Sequence, residues 1–329
     1  MGTDNNIIVC VWMSEVAAGA SYEQTHYLSA LKKIGYDARV IPIEFDYNRF
    51  PSKYMVPIDA KLLDIVDLLK PKYLLVKLYA NGVQKETLRY ISEKTSTTTI
   101  IICGDDEKFF ERDSVPFADA FNWVLTRYKP AVKRYNALGL ENVIYEGYGA
   151  SPDIFKRRKV KKDLDVTFCG AVKRGRIELF NSLVLRGIKM RVYGNGWLPD
   201  DETVDGRGQP TLTTAQYVKL INQTKVNLSE AEDINDDKIT LQIKGRDFEV
   251  PMAGGFLLAR YNPLLSEFYK IGKEIETYKT AAECADKIRY YIIKEKEREK
   301  IAQAGWVRAH KDHSYIKQFR RILKKVGGK

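Results

Sequence analysis

The sequence predicts two α/β domains, each a parallel sheet with helices on both faces. Three observations carry this expectation. The chain has 329 residues, and at ~100–200 residues per domain that is room for two cores. Short apolar runs alternate with longer segments of helical spacing, the signature of strands joined by crossover helices. The alternation then stops at a basic run, Lys156–Lys162 (KRRKVKK), and starts again after it.

In the first half, Ile7–Trp12 (IIVCVW) reads as a strand buried on both faces. Glu23–Ile34 has helical spacing at Tyr27, Leu28, Leu31 and Ile34 and is stopped by Gly35. Ala38–Ile43 is a strand. Asp59–Leu69 is a helix followed by Pro71. Tyr73–Leu78 is a strand, Lys85–Glu93 a helix and Thr98–Cys103 a strand running into GDDEKFF. Asn122–Thr126, the helix Pro130–Leu138 and Val143–Tyr145 complete the half.

The second half repeats the scheme with strands at Leu164–Cys169, Lys189–Tyr193, Val226–Leu228 and Phe256–Ala259. Helices are expected at Ile177–Arg186, Thr214–Gln223, Gly245–Met252, Leu264–Phe268, Ala281–Lys294, Arg298–Gly305 and Tyr315–Lys325. The domains expected are therefore 1–155, a linker at 156–163, 164–312, and a last segment 313–329 crossing back to the first domain.

Composition excludes several classes. Hydrophobic residues are 44% and charged residues 29% of the chain, an ordinary globular balance. No apolar run approaches the ~18 residues of a membrane span. The start, MGTDNNIIVCVWM, has no basic stretch leading into a long apolar one, so a cytoplasmic protein is expected. Cys10, Cys103, Cys169 and Cys284 form no CxxC pair and have no histidine at ligand spacing, and only three histidines occur; reduced thiols and no metal site are expected. The net charge of +11 favours a polyanionic neighbour, whether nucleotide, anionic membrane face or nucleic acid.

Candidate chemistry collects where strands end. In DVTFCGAVKRGR a strand meets a glycine turn and a helix start, with Lys173, Arg174 and Arg176 placed to hold phosphate, or else to serve as surface charges of an ordinary turn. In VYGNGW, Asn195, Gly196 and Trp197 allow a close approach of backbone and a ring wall, or else make a tight turn with a packed tryptophan. In KGRDFEVPMAGGF, Lys244 and Arg246 precede a helix carrying Glu249, and Gly254 and Gly255 end it. Cations beside a carboxylate suit a diphosphate next to a ribose diol, or else form a structural ion pair. A GxGxxG fingerprint is missing after the first strand, which argues against a nicotinamide-dependent oxidoreductase.

These stretches, with NQTKVNLSEA, the run QIKGRDFEVPMAGGFLLARYNPLLSEFYKIGKEIETYK and EREKIAQAGWVRAHKDHSY, resemble the CgeB-type, glycosyl-transferase group 1 relatives among GT-B glycosyltransferases. GDDEKFF and RYKPAVKRYNALGLENVIYEGYGASPDIF resemble the end of that family's first domain, so the resemblance spans most of 98–320. It implies two Rossmann-like domains facing a central cleft, with the second holding a nucleotide-sugar (UDP-, GDP- or dTDP-linked) as co-substrate and no separate cofactor. It implies that Lys244 and Arg246 contact the diphosphate and Glu249 the ribose, with Gly254, Gly255, Tyr261 and Asn262 around the donor. The chain departs from the pattern at Leu241, where many retaining relatives carry a glutamate eight positions before the second; Gln242, Ser229 and Glu230 are the substitutes in reach.

An inverting enzyme would need a general base, for which Asp105 and Asp106 stand at a strand's carboxyl end, with Glu107, Glu15 and His26 behind them. The same acids could hold a divalent cation or cap a loop. The expected function is transfer of a sugar to a glycan, lipid, protein or modified DNA. The alternative is a non-catalytic basic module that recognises nucleic acid or an anionic surface through KRRKVKK and the last helix.

Overall fold

A computed structural model describes residues 6–12, 15–16, 19–43, 58–77, 82–197, 208–209, 211–235 and 238–328. The chain divides into two compact units: unit 1 is Met1–Val16, Ala20–Gly147 and Ile316–Lys329, and unit 2 is Ala17–Gly19 and Tyr148–Tyr315.

Unit 1 is built on β1 (Ile7–Trp12); a short pair, β2 (Glu15–Val16) and β3 (Gly19–Ala20), follows it in the chain, with Gly19 counted in unit 2. A π-helical turn, Gln24–Leu28, leads into α1 (Ser29–Lys33). Then come β4 (Asp37–Pro42), α2 (Asp59–Leu69), β5 (Tyr73–Val76), α3 (Lys85–Lys94), β6 (Thr98–Cys103), α4 (Asp106–Phe109), α5 (Val115–Ala118), β7 (Trp123–Thr126), α6 (Ala131–Ala137) and β8 (Val143–Tyr145). Six strands pair in parallel in the order β4-β1-β5-β6-β7-β8. Helices cover both faces, so Ile8 to Trp12 are each 0% exposed and the strand has no polar side. The strand order reverses at β1, and beside its neighbour β5 the Lys77 ammonium pairs with the buried Glu23 carboxylate.

Asp106 is placed differently from the expectation of an open catalytic acid. It is 1% exposed, and its carboxylate accepts from Ser114 Oγ at 2.6 Å, Thr126 Oγ1 at 2.6 Å and Tyr135 OH at 3.1 Å. Three hydroxyl donors occupy most of its roughly four acceptor sites, and it ties the start of α4 to β7 and α6. Burial raises its pKa above the ordinary carboxylate range, against the lowering by those hydroxyls. A raised native pKa means that the native state holds the proton over a range where the unfolded chain has lost it. The group's contribution is therefore full below the unfolded value and is lost as pH rises through the native one. Asp106→Asn should remove that decline. Urea unfolding of both proteins from pH 4 upward checks it, and parallel curves would refute the shift. Asp105, by contrast, is partly exposed and occupies the N-cap position of α4. His26 is 1% exposed and packs against Tyr22, whereas the side chain of Glu15 lies outside the described residues.

Unit 2 runs β9 (Leu164–Cys169), α7 (Arg174–Leu185), β10 (Arg191–Tyr193), β11 (Gly208–Gln209), α8 (Thr214–Gln223), β12 (Thr224–Ser229), the antiparallel hairpin β13 (Glu232–Asn235) and β14 (Lys238–Leu241), α9 (Arg246–Met252), β15 (Leu257–Arg260), α10 (Leu265–Phe268), β16 (Glu276–Tyr278), α11 (Ala281–Ile293) and α12 (Glu295–Asp312). Its sheet is parallel in the order β11-β10-β9-β12-β15-β16. The order reverses between β9 and β12, and the carboxyl ends of two such strands leave the crevice in which open α/β sheets bind ligands.

The basic run Lys156–Lys162 is fixed to unit 2. Asn222 accepts from Arg158 N at 2.7 Å and donates to Lys156 O at 3.2 Å, and Arg157 stacks 4.9 Å from the Trp306 ring centroid while donating to Gln303 Oε1 at 2.6 Å. The two passages of the chain out of unit 2 are joined, because Ala150 N donates to His313 O at 3.0 Å and Tyr315 N to Ala150 O at 3.3 Å.

The last helix, α13 (Tyr315–Val326), belongs to unit 1 from Ile316 onward. It buries Phe319, Ile322 and Leu323 and exposes Lys317, Arg320, Arg321 and Lys324, an apolar stripe opposite a cationic one. Phe319 packs on Tyr27 at 5.4 Å between ring centroids, Arg127 Nη1 donates to Gln318 Oε1 at 3.3 Å, and Arg321 forks onto Glu146 at 2.8 and 2.9 Å.

Candidate donor site at the strand ends of unit 2

The turns after β9 and β10 are joined backbone to backbone. Gly170 N donates to Tyr193 O at 2.8 Å and Val172 N to Asn195 O at 2.9 Å. Gly194 has φ +136°, and a Cβ there would stand 2.4 Å from Gly170 O. Gly196 has φ +85°, and its Cβ would meet Val172. The spacing of GNGW is therefore required by this contact. Asn195 and Gly196 are exposed on the turn. Trp197 turns inward: it is 4% exposed, its Nε1 donates to Gly170 O at 2.8 Å, and its ring lies 5.6 Å from Phe180. Its indole thus braces the turn from the core.

The three cations after β9 separate. Arg174 is exposed and pairs with Glu178 at 3.0 Å, one helical turn on. Lys173 is partly exposed at the N-cap position of α7. Arg176 is 3% exposed and donates to Ala171 O and, at 3.2 Å, to Glu230 O. Its guanidinium lies 5.0 Å from the Phe168 ring centroid.

The start of α9 meets this turn. Arg246 is partly exposed, lies 4.5 Å from the same Phe168 centroid and reaches Glu230 O at 3.4 Å. A Cβ on Gly170 would stand 2.5 Å from Arg246 Nη2, so the missing side chain at 170 is what admits the guanidinium. Glu249, 8% exposed, is on the same helix. Burial raises the Cys169 thiol at the end of β9 to about 12, with the Arg246 charge lowering it and the Glu249 charge raising it. Tyr217 of α8 joins them; burial raises its phenol, and the Glu249 carboxylate raises it further. Lys244 is partly exposed beside this group.

Asp247 shapes the loop that carries Lys244. It is 1% exposed and accepts from Lys244 N at 2.8 Å. Phe248 fixes the other side of α9 by packing on Phe268, Tyr269 and His313. Ser229 bonds the buried Asp247 carboxyl and lowers its pKa against the raising by burial, whereas the buried Gln242 Oε1 and Asn262 Nδ2 have no partner among the described residues. Glu230, in contrast, is committed, since Tyr278 OH donates to its Oε2 at 2.7 Å. Past β15, Tyr261 lies under the Lys279 ammonium at 4.8 Å, and Asn262 accepts from Leu264 N at 3.0 Å.

Gly254 and Gly255 belong to the opposite edge. Gly254 N donates to Pro251 O and Gly255 N to Val250 O, each at 2.9 Å, with Gly254 at φ +77°. That is the paired-bond stop of a helix, for which glycine is needed. Because α9 runs against the strands, it returns the pair to the amino end of β15. There Gly254 faces Arg157 and Gly255 faces Ile221 and Asn227. Sequence reading missed Phe168, Tyr217 and Asp247; an acid next to Arg246 in the first turn of a helix was the one visible signal. Among the described residues no group of three or more His, Cys, Asp or Glu is arranged to hold a metal, and no helix is long and apolar enough to cross a membrane.

Residues 175–324 match the model of a family described as glycosyl transferase-like. No curated protein sequence matches the chain. Among solved structures, Anabaena HepE in complex with UDP and glucose is similar over 98% of this chain and 100% of its own, with a TM-score of 0.69 and 11% identity. Sucrose-phosphate synthase from Thermosynechococcus elongatus covers 98% and 99%, with a TM-score of 0.66 and 10% identity. A Listeria monocytogenes protein described as a UDP-N-acetylglucosamine 2-epimerase covers 99% and 98%, with a TM-score of 0.60 and 9% identity. The fold is of the GT-B class, two Rossmann-like units with parallel sheets.

Proposed function

We propose that the protein is a glycosyltransferase whose unit 2 binds a nucleoside-diphosphate sugar, with UDP the first nucleotide to test. The observation that carries this reading is the Arg246 guanidinium set against the side-chain-free Gly170 turn at the crevice between β9 and β12, with Glu249 one turn further along the same helix. A partly exposed guanidinium beside a turn without side chains suits a diphosphate, and a carboxylate one helical turn on suits the two hydroxyls of a ribose. Lys244 and Lys173 add charge at the rim. Departure of the nucleoside diphosphate develops negative charge, and fixed cations stabilise it without a covalent intermediate. The neighbour complexes with UDP, and with UDP and glucose, support the choice of nucleotide.

For the sugar, Ser229 and Gln242 are assigned to its hydroxyls, in place of the glutamate that Leu241 lacks. The buried Gln242 Oε1, which has no partner among the described residues, supports this assignment. Unit 1 is assigned to the acceptor. There Asp105, partly exposed at the carboxyl end of β6, is assigned as the base, in preference to the buried Asp106, which accepts from three hydroxyls.

Arg246→Ala and Glu249→Ala should each weaken UDP binding by ~10–50-fold, the scale of one charge-assisted contact. Isothermal calorimetry reads this, and turnover is sought as donor hydrolysis across a panel of nucleotide-sugars with and without EDTA. A wild type that binds no nucleoside diphosphate refutes the reading. Salt-dependent binding of DNA with no donor hydrolysis would return the protein to the class of binding modules.

A further inference from the structure

Two arginines share one ring and one carbonyl at the β9–β12 crevice, yet only one of them faces outward. Arg176 is 3% exposed and Phe168 is 1% exposed, whereas Arg246 is partly exposed. Both guanidiniums lie within 5.0 Å of the Phe168 centroid, and both donate to Glu230 O, Arg176 at 3.2 Å and Arg246 at 3.4 Å. Arg176 also donates to Ala171 O, so its planar fork joins the turn after β9 to the residue after β12, two strands that pair directly.

The electrostatics give this arrangement a purpose. Carbonyl oxygens at the ends of parallel strands carry partial negative charge, and any that face a bound diphosphate repel it. A guanidinium has donors in a rigid plane and so satisfies two such oxygens at once, which an ammonium on a flexible stem does not. With Glu230 O held by Arg176, Arg246 is attached to that oxygen only by a long contact and keeps donors for a ligand. The stack on Phe168 fixes the plane from which those donors project.

We infer that Arg176 is a positioning residue and not a ligand contact: it neutralises the Ala171 and Glu230 carbonyls and thereby aims Arg246 at the diphosphate. The inference rests on the donor-site reading above and gives Arg176 a role other than the direct donor contact expected from the sequence.

A double-mutant cycle tests it, using inorganic pyrophosphate and UDP as probes in calorimetry and thermal melting to verify the fold. Pyrophosphate makes the result independent of the base. Arg176→Lys should weaken both probes at least ~10-fold in the wild-type background and less than ~2-fold in an Arg246→Ala background, because its effect passes through Arg246. Phe168→Leu, at a side chain too buried to touch a ligand, should follow the same pattern, and it replaces Arg176→Lys in the cycle if that variant does not fold. Wild-type affinity in both single variants overturns the inference, and so do losses that multiply with that of Arg246→Ala. A wild type that binds neither probe removes the donor-site reading itself, and this inference with it.

Discussion

Alanine at Gly194 is expected to lower the melting temperature of unit 2 by ~6–12 °C. Two costs add. The residue sits at φ +136°, where a side chain is strained by ~1–3 kcal/mol. Its Cβ would also stand 2.4 Å from Gly170 O and 2.6 Å from Gly170 C, and neither atom can move without opening the Gly170 N to Tyr193 O bond. A total of about 3 kcal/mol in a unit of this size gives that shift at ~2–4 °C per kcal/mol. The Trp197 Nε1 bond to Gly170 O would loosen with it. Differential scanning calorimetry that finds the variant within ~2 °C of wild type would show that the two turns are not in the register described.

Gly170→Ala should behave in the opposite way: little change in stability and an approximately hundredfold loss of UDP affinity. Its φ lies outside the left-handed region, so alanine meets no backbone strain. What the new Cβ meets is Arg246 Nη2 at 2.5 Å, the far end of a flexible side chain that can swing away, together with the edge of the Phe168 ring at 3.1 Å. The fold therefore survives, but the cation leaves its place and the methyl enters the space a phosphate would use. A hundredfold loss is ~2.7 kcal/mol. Calorimetry with UDP, paired with a melting curve, separates the two variants. Undiminished UDP affinity in a well-folded Gly170→Ala protein would mean that the diphosphate does not approach this turn.

The frame of the molecule was legible because parallel strands buried on both faces are continuous apolar runs. β1, β6, β8 and β9 begin and end where the pattern places them, as do α2 and α8. Where the pattern misled, a physical reason is visible. α12 extends over Glu295–Asp312, beyond the expected Arg298–Gly305, because EKEREK has no apolar face to read. β16 was missed because its first residue is a glutamate, which the fold satisfies with Tyr291 OH at 2.9 Å and Lys287 Nζ at 3.3 Å. The helical stretch after β6 was hidden by a π-helical insertion, Phe110–Ser114, which breaks the 3.6-residue period.

At the site, residue type was legible and direction was not. Lys244, Arg246 and Glu249 could be proposed from charge and glycine spacing alone. That Trp197 points into the core, that Arg176 turns to backbone carbonyls and that Gly254 stops a helix depend on which face each element presents. Those facts follow from tertiary packing, which no local pattern encodes.

The placement of α13 has a consequence for how the protein is made. Unit 1 is opened by the first strand of the chain and closed by its last helix, whose Phe319 and Gln318 meet Tyr27 and Arg127. All of unit 2 is translated between them. At ~5–20 residues per second, the apolar surface around Tyr27 waits on the order of ten seconds or more on the ribosome before its cover exists. Unit 2 carries its own core and needs no such wait, so the carboxyl-terminal unit is the first able to fold completely. A chain clipped ahead of Ile316 would keep a finished second unit and be left with a first one that exposes its seam.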